Sequence, residues 1–213
     1  MLNIIQGPIH ISRAKRVFDF TVATLLLAMV LPLFPLIAAA IKLGSRGPVF
    51  YTQLRVGYYT PEKAHLFHII KFRTMYQDCE SRSGACWATE NDPRITPIGR
   101  FMRKTRLDEL PQLINVVKGE MSLIGPRPER PCFYSKLENA IPFFAERTYG
   151  LLPGITGLAQ VSQGYDTCID DVRRKVGFDH GYALALSSFK TWLAMDMLIL
   201  CKTISVVIMG RGQ

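Results

Sequence analysis

From Phe20 to Ile41 the chain runs for 22 residues without a charged side chain, long enough at about 1.5 Å per residue to cross a bilayer. Few features narrow the choice of fold more than this one. An ordinary soluble domain is excluded by it. Pro32 and Pro35 interrupt the run near its middle, and each removes a backbone donor and crowds the carbonyl four residues earlier, at Ala28 and Leu31. The pieces on either side, Phe20 to Leu31 and Pro32 to Ile41, would each be roughly 15–18 Å long, about half of a ~30 Å hydrocarbon core. Arg13, Lys15 and Arg16 precede the run and Lys42, Arg46 and Arg55 follow it, so the positive-inside tendency places both flanks on the cytoplasmic face. A re-entrant hairpin broken at Pro32 and Pro35 fits both observations, with Thr24 a candidate to satisfy a freed carbonyl. The alternatives are a kinked spanning helix and a cleaved signal peptide ending at Ala38-Ala39-Ala40. The latter is disfavoured because 22 apolar residues exceed the roughly 7–15 of a signal h-region.

Beyond the run, the 213 residues suit one domain. Lys and Arg outnumber Asp and Glu 26 to 17, a net charge of +9 that favours an anionic partner: nucleic acid, anionic lipid or a phosphorylated small substrate. Five cysteines without a C-x-x-C pair indicate neither a disulfide framework nor a zinc knuckle.

Gly44 to Pro48 reads as a turn leaving the bilayer, followed by a small β-hairpin of Val49 to Gln53 and Ala64 to Phe72, turning near Tyr59-Thr60-Pro61. Polar sequence from Asp78 to Pro97 is broken by Gly84, Asn91-Asp92-Pro93 and Thr96-Pro97, and a short helix follows from Ile98 to Lys104. Leu107, Leu110, Leu113, Ile114 and Val117 form one stripe of a second helix. It starts either at a Thr105/Asp108 capping box or nearer Asp108, where Pro111 is better tolerated, and Gly119 ends it. Met121 to Ile124 is read as extended, Glu138 to Tyr149 as a helix closed by Gly150, and Pro153 to Gly157 as a loop. Phe189 to Met209 is apolar but interrupted by Lys190, Asp196 and Lys202. With Trp192 it suits a helix lying along the headgroup boundary, and equally a core-facing helix. The fold class expected is mainly α with a small β element (α+β).

Asp108 and Glu109 are adjacent acids at an expected helix start, amid Arg100, Arg103, Lys104 and Arg106. Cations favour the ionised carboxylate, which can then act as a nucleophile without a base, and free amides at a helix N-terminus suit a phosphate oxygen. The plainer reading makes Asp108 a cap and Glu109 a solvated first-turn acid. Pro126 and Pro128 confine Arg127 to extended geometry and present its guanidinium at low entropic cost. Lys71 and Arg73 share one face if the segment is a strand and are then further candidate phosphate ligands, although each alone reads equally as a solvated surface cation. His65, His68 and His180 have no metal-binding spacing, and no P-loop or dinucleotide fingerprint is present.

These residues resemble the bacterial sugar transferase family, the monotopic polyprenyl-phosphate phosphoglycosyl transferases. The similarity rests on Lys15 to Asp19, Gly47 to Tyr51 with Gln53 and Arg55-Val56-Gly57, Lys71 to Met75, and Asp92 to Thr96. It continues through Arg103 to Gln112, Gly119 to Pro128, Pro153 to Gly157 and Gly210-Arg211-Gly212. The resemblance implies transfer of sugar 1-phosphate from a UDP-sugar to undecaprenyl phosphate, with UMP released and Mg²⁺ required. It makes Asp108 the nucleophile that forms a covalent phosphosugar intermediate. Glu109 would assist in metal binding or acceptor deprotonation, so Asp108 and Glu109 are both candidate metal ligands. Arg103 and Arg127 map to the phosphate, with Lys71 and Arg73 as additions.

The division expected is a basic segment at 1–16, a re-entrant membrane hairpin at 17–46, a catalytic domain at 47–188 on the cytoplasmic face of the bacterial inner membrane, and an interfacial helix at 189–213. The resemblance leads one to expect a minimal form, without the extra N-terminal membrane domain of larger members. Two departures stand out: Leu31-Pro32 where members often show Ser-Pro, and Phe178 to Tyr182 where they are richer in tyrosine. Membrane lipid is an expected partner and nucleic acid is not; a homodimer is compatible with the sequence, and the sugar is not encoded by any motif. Competing readings are the same transfer through a ternary complex, with Asp108 serving only the metal, and a non-catalytic basic scaffold at the membrane surface.

Overall fold

The structure is a computed structural model, which describes residues 9–60, 62–77, 79, 92–163 and 169–209. The chain is mainly helical, with two small two-stranded sheets. The breaks expected at Gly84 and Asn91, Pro61 of the hairpin turn and the Gly210-Arg211-Gly212 block lie outside the described residues.

Helix α1 (Ile9–Val30) passes through a 3-10 turn at Leu31–Leu33 into α2 (Phe34–Gly44). Pro32 lies in that turn and Pro35 in the first turn of α2, where a missing N–H costs least. Thr24 does not serve the freed carbonyls: its hydroxyl donates to Phe20 O in its own helix at 2.7 Å. Ala14, Phe18, Ala23, Leu27 and Val30, then Phe34, Ile37 and Ile41, recur every three to five residues and pack on the globular body. The opposite side is left bare, with Leu25, Met29 and Leu36 each about two-thirds exposed. An apolar face of that extent on a folded protein marks a surface meant for something other than water.

Both ends of the element are tied to the same body. Arg16 donates to the carbonyls of Val116 (2.5 Å) and Val117 (2.8 Å), satisfying the free C-terminal end of α4 (Gln112–Lys118). Asp19 accepts from Ser122 Oγ at 2.7 Å and Leu123 N at 3.2 Å. At the far end Ser45 accepts from Arg73 through both its hydroxyl and its carbonyl.

Strands β1 (Phe50–Tyr59) and β2 (Ala64–Phe72) form a long antiparallel hairpin with a bulge between Val56 and Tyr58. β1 is longer than expected because Leu54 to Val56 go on pairing past Gln53, Arg55 opposite Phe67. Phe72 is 1% exposed, wedged between the rings of Phe34 (4.9 Å) and Phe50 (5.3 Å). A buried phenyl of this kind contributes about 2–3 kcal/mol, and it fastens α2 to the hairpin.

Helix α3 (Pro97–Thr105) follows, capped by Thr96, whose Oγ1 accepts from Gly99 N at 3.0 Å. The second expected helix is split. Leu107–Glu109 is a 3-10 turn and α4 starts only at Gln112 behind Pro111, so no Thr105/Asp108 capping box forms; the Thr105 hydroxyl bonds back to Phe101 O at 2.9 Å. Strand β3 (Ser122–Ile124) pairs in parallel with β4 (Gly154–Thr156), a strand where a loop was expected. Glycine permits that pairing, since a Cβ at position 154 would stand 2.1 Å from Gly125 N.

Between these strands, α5 (Pro131–Ala140) and a 3-10 turn (Ala145–Thr148) replace the single helix expected from Glu138 to Tyr149. Ile141 precedes Pro142 and is held extended, which stops the helix. Helices α6 (Leu158–Ser162), α7 (Ile169–Ala185) and α8 (Phe189–Ile208) complete the chain. Trp192 of α8 is not at a headgroup boundary: it is 3% exposed and donates to the buried Asp196 at 2.7 Å, which also accepts from Lys15 and Tyr182, both at 2.9 Å. The other side of α8 does expose Phe189, Leu193, Leu198 and Ile204.

Candidate active site

The chain reverses between α3 and α4 at Arg106, a non-glycine residue at φ 58°. This left-handed conformation costs on the order of 1–2 kcal/mol, and the turn that follows it buries Asp108 and Glu109 side by side, each 7% exposed. The plainer reading of a cap and a solvated acid is therefore not what forms.

The cations divide unequally between the two acids. Glu109 takes Lys71 Nζ at 2.7 Å, Arg106 Nη1 at 3.5 Å and Arg127 Nη1 at 3.7 Å. Burial alone would raise its pKa, but Lys71, Arg127 and Arg106 together overcome burial and hold Glu109 well below the usual carboxylate range. Asp108 lies in the field of Lys71, Arg103 and Arg106, yet burial and the adjacent Glu109 charge win and push it up to about 6. The expectation that its cationic neighbours favour ionisation is thus reversed for Asp108 and holds for Glu109. Asp108 Oδ1 is buried and accepts no hydrogen bond. An unsatisfied, charge-capable oxygen beside a fully paired one is suited to accept an electrophile or a hard cation.

Lys71 leaves the end of β2, and its ammonium is pulled below its normal value by burial, with Glu109 opposing. Arg103 lies on the last turn of α3, its Nε donating to Thr74 Oγ1 at 3.0 Å. Arg127 reaches Glu109 from the turn after β3. Arg73 does not join them. Its N–H still bonds to Val49 O at 2.9 Å just past the end of β2, but its side chain is captured by the exit of α2. The Arg73 guanidinium is buried, donating to Pro48 O (2.6 Å), Ser45 Oγ (2.7 Å) and Ser45 O (3.0 Å). It staples the exit of α2 to the hairpin.

Sequence reasoning missed Asn115. Fully buried, it accepts from Ile70 N at 3.0 Å and donates to His68 O at 2.8 Å and Glu120 Oε2 at 2.6 Å. It thereby locks α4 against β2 and fixes Lys71 opposite Glu109. The available signal was a polar residue in the midst of an apolar helix, with Gln112 one turn earlier, also buried.

Among the described residues no group of three or more His, Cys, Asp and Glu could hold a metal by itself. Two adjacent acids with one unpartnered oxygen do fit Mg²⁺, which commonly takes one or two carboxylates and completes its shell with waters and substrate phosphates. A cavity near the base of Arg127, lined also by Arg147, Gln160 and Asp179, measures only about 10 Å³. That is room for one water, too small for a sugar nucleotide.

A buried acidic pair thus lies in the field of Lys71, Arg103, Arg106 and Arg127, on a body that carries an apolar helix long enough to cross a membrane. Residues 10–210 match the bacterial sugar transferase family, and the chain belongs to it. It is 41% identical over 210 residues to a UDP-N-acetylgalactosamine-undecaprenyl-phosphate N-acetylgalactosaminephosphotransferase of Aeromonas hydrophila, covering 99% of this chain and 47% of that protein. An undecaprenyl-phosphate glucose phosphotransferase of Komagataeibacter xylinus is 43% identical over 203 residues, covering 93% of this chain and 36% of its own length. The exopolysaccharide production protein ExoY of Rhizobium meliloti (strain 1021) is 36% identical over 214 residues, 94% of this chain and 88% of that one. The chain thus spans less than half the length of the first two.

Proposed function

We propose that this protein transfers a sugar 1-phosphate from a UDP-sugar to undecaprenyl phosphate through a covalent intermediate on Asp108, an early membrane step in making exopolysaccharide or a related glycoconjugate. The observation that carries this reading is the buried Asp108 Oδ1, unpartnered beside a Glu109 that holds the cations. The Asp108 carboxylate attacks the sugar-bearing phosphorus. An O–P bond forms as the bond to the bridging oxygen breaks, and UMP departs with that electron pair. A phosphate oxygen of the undecaprenyl acceptor then attacks the same phosphorus, releasing lipid diphosphosugar and restoring the carboxylate.

At neutral pH a carboxyl with a pKa of about 6 is mostly ionised, while its partial desolvation leaves it more reactive than a hydrated one. Lys71, held by Glu109, and Arg103 and Arg127 at the rim meet the charge on the phosphoryl oxygens. Mg²⁺ held by Asp108 and Glu109 together with the diphosphate would neutralise that charge further. In the ternary-complex alternative Asp108 would serve only the metal, and no label would remain on the protein.

The membrane arrangement belongs to the same proposal. The 22-residue α1 and 11-residue α2, joined through the 3-10 turn that holds Pro32, with an apolar outer face and both ends tied to one body, support a hairpin that dips into one leaflet from the cytoplasmic side. The acceptor phosphate then meets Asp108 at headgroup level. In a cysteine-free background, Arg13→Cys and Arg46→Cys should both react with an impermeant thiol reagent from the cytoplasmic side only; labelling from opposite sides would refute the hairpin. For the chemistry, the purified protein should release UMP when given undecaprenyl phosphate and a panel of UDP-sugars, beginning with glucose and N-acetylgalactosamine. Silence across the whole panel would refute the transfer.

A further inference from the structure

Arg127 sits in a turn that cannot be held in the usual way. Pro126 and Pro128 have no N–H, so the segment offers its neighbours mainly carbonyls, and whatever fixes it must bring the donors. Four consecutive carbonyls accept, each from a different residue. Gly154 N reaches Pro126 O at 2.9 Å and Val56 N reaches Glu129 O at 2.9 Å. Between them, Arg147 Nη2 reaches Arg127 O at 3.3 Å and Arg55 Nη1 reaches Pro128 O at 3.0 Å.

The two inner donors are costly ones. Arg147 is 4% exposed, paired to the equally buried Asp179 at 2.6 Å, and lies 4.5 Å from the centre of the Phe144 ring. Burying such a pair seldom adds net stability, so its presence calls for another benefit. Arg55 had looked like a membrane-flanking cation. It instead turns inward, with Gln53 accepting from its Nη2 at 2.6 Å, and burial plus the neighbouring Arg127 charge push it down to about 10. Arg147 and Arg55 thus each bring a guanidinium to the turn that carries Arg127. What both achieve is a fixed path for residues 126–129, and hence a fixed root for the arginine that meets Glu109.

We propose that Arg147, oriented by Asp179, and Arg55 are positioning residues for the phosphosugar transfer: by holding the carbonyls of Arg127 and Pro128 they set the Arg127 guanidinium against the Asp108-Glu109 pair. The proposal rests on the reading that this pair is the reaction centre. Misplacement of a catalytic group by about 1 Å can cost up to ~100-fold in rate without any loss of fold.

The test is a double-mutant cycle on single-turnover UMP release from the full-length protein in detergent. Arg147→Lys keeps the charge opposite Asp179 but lacks the second arm that reaches Arg127 O. Arg55→Lys, at a less buried position, gives an independent variant should the first be poorly folded. Each should lower the limiting rate about tenfold or more, with the UDP-sugar concentration for half-maximal rate changed about twofold at most. In an Arg127→Lys background the further loss from either should fall below about twofold, because the group they position has already been compromised. Equal fold-losses in both backgrounds, or no loss in the parent, would show a merely structural role and overturn the inference. A parent protein that releases no UMP overturns the underlying reading, and the inference with it.

Discussion

Replacing Asp108 by Asn should destroy activity and yet make the protein more stable. The Asp108 pKa stands at about 6 against a reference of 3.8. A shift of roughly two units, at about 1.36 kcal/mol each, means that holding this carboxylate ionised in the folded state costs on the order of 3 kcal/mol. Burial is the first cause and the adjacent Glu109 charge the second. Asn keeps the shape and removes the charge, so at pH 8 the variant should gain about 1–3 kcal/mol once neighbours relax, or about 3–10 °C in Tm for a chain of this size. The pH dependence follows from the direction of the shift. A folded pKa above the unfolded one favours folding while the group is protonated, and that benefit is lost as pH rises through about 6. The gain from Asn should therefore shrink by about half between pH 8 and pH 5, and vanish below the unfolded pKa of about 4. Thermal unfolding followed by tryptophan fluorescence in detergent, at both pH values, measures this. An Asp108→Asn protein no more stable than its parent at pH 8, or a gain indifferent to pH, would refute the claim that Asp108 is an electrostatically burdened nucleophile.

Two further outcomes follow from the geometry. The first-step rate should rise with pH as Asp108 ionises, up to tenfold per unit, with a midpoint at or below about 6 because Mg²⁺ on the carboxylate favours its charged form, and level off above it; a rate that falls as pH rises through this range, read from rapid-quench assays, would contradict the assignment. Arg73→Gln should leave the half-saturating UDP-sugar concentration unchanged and destabilise the fold by about 2–4 kcal/mol, since it removes buried charge-assisted bonds to Pro48 and Ser45. An unmoved Tm with a raised half-saturation would restore Arg73 to the phosphate.

What the sequence discloses here is what short-range rules govern. The α3 helix is legible from Thr96-Pro97 at its start, and the Pro32 break from the cost of a lost donor, because both are decided within a turn of backbone. The acidic pair is visible as a pair, since adjacency in sequence is adjacency in space. Its electrostatics are not. Which of the two acids collects the cations depends on Lys71 arriving from a strand 38 residues away and on Arg127 from the far side, and the sum reverses the expectation for Asp108. Arg73 is hidden for a related reason: the Pro48 and Ser45 oxygens that capture its guanidinium stand 25 and 28 residues earlier in the chain. The β3-β4 pair escaped notice because β4 is glycine-bounded and three residues long, a strand made by a partner and not by its own propensity. Trp192 looks interfacial by residue type, whereas the Asp196 acceptor that draws it inward is evident only once α7 and α1 converge on α8.

The most direct test of the central claim is the mass of the protein itself. Incubated with a productive UDP-sugar in the absence of any lipid acceptor, then quenched and analysed intact, the parent chain should gain the mass of one sugar phosphate, lose it on addition of undecaprenyl phosphate, and yield an adducted peptide containing Asp108. The Asp108→Asn protein should gain nothing. An adduct that persists in that variant, or turnover to lipid-linked product by a parent chain that never carries one, would contradict the account.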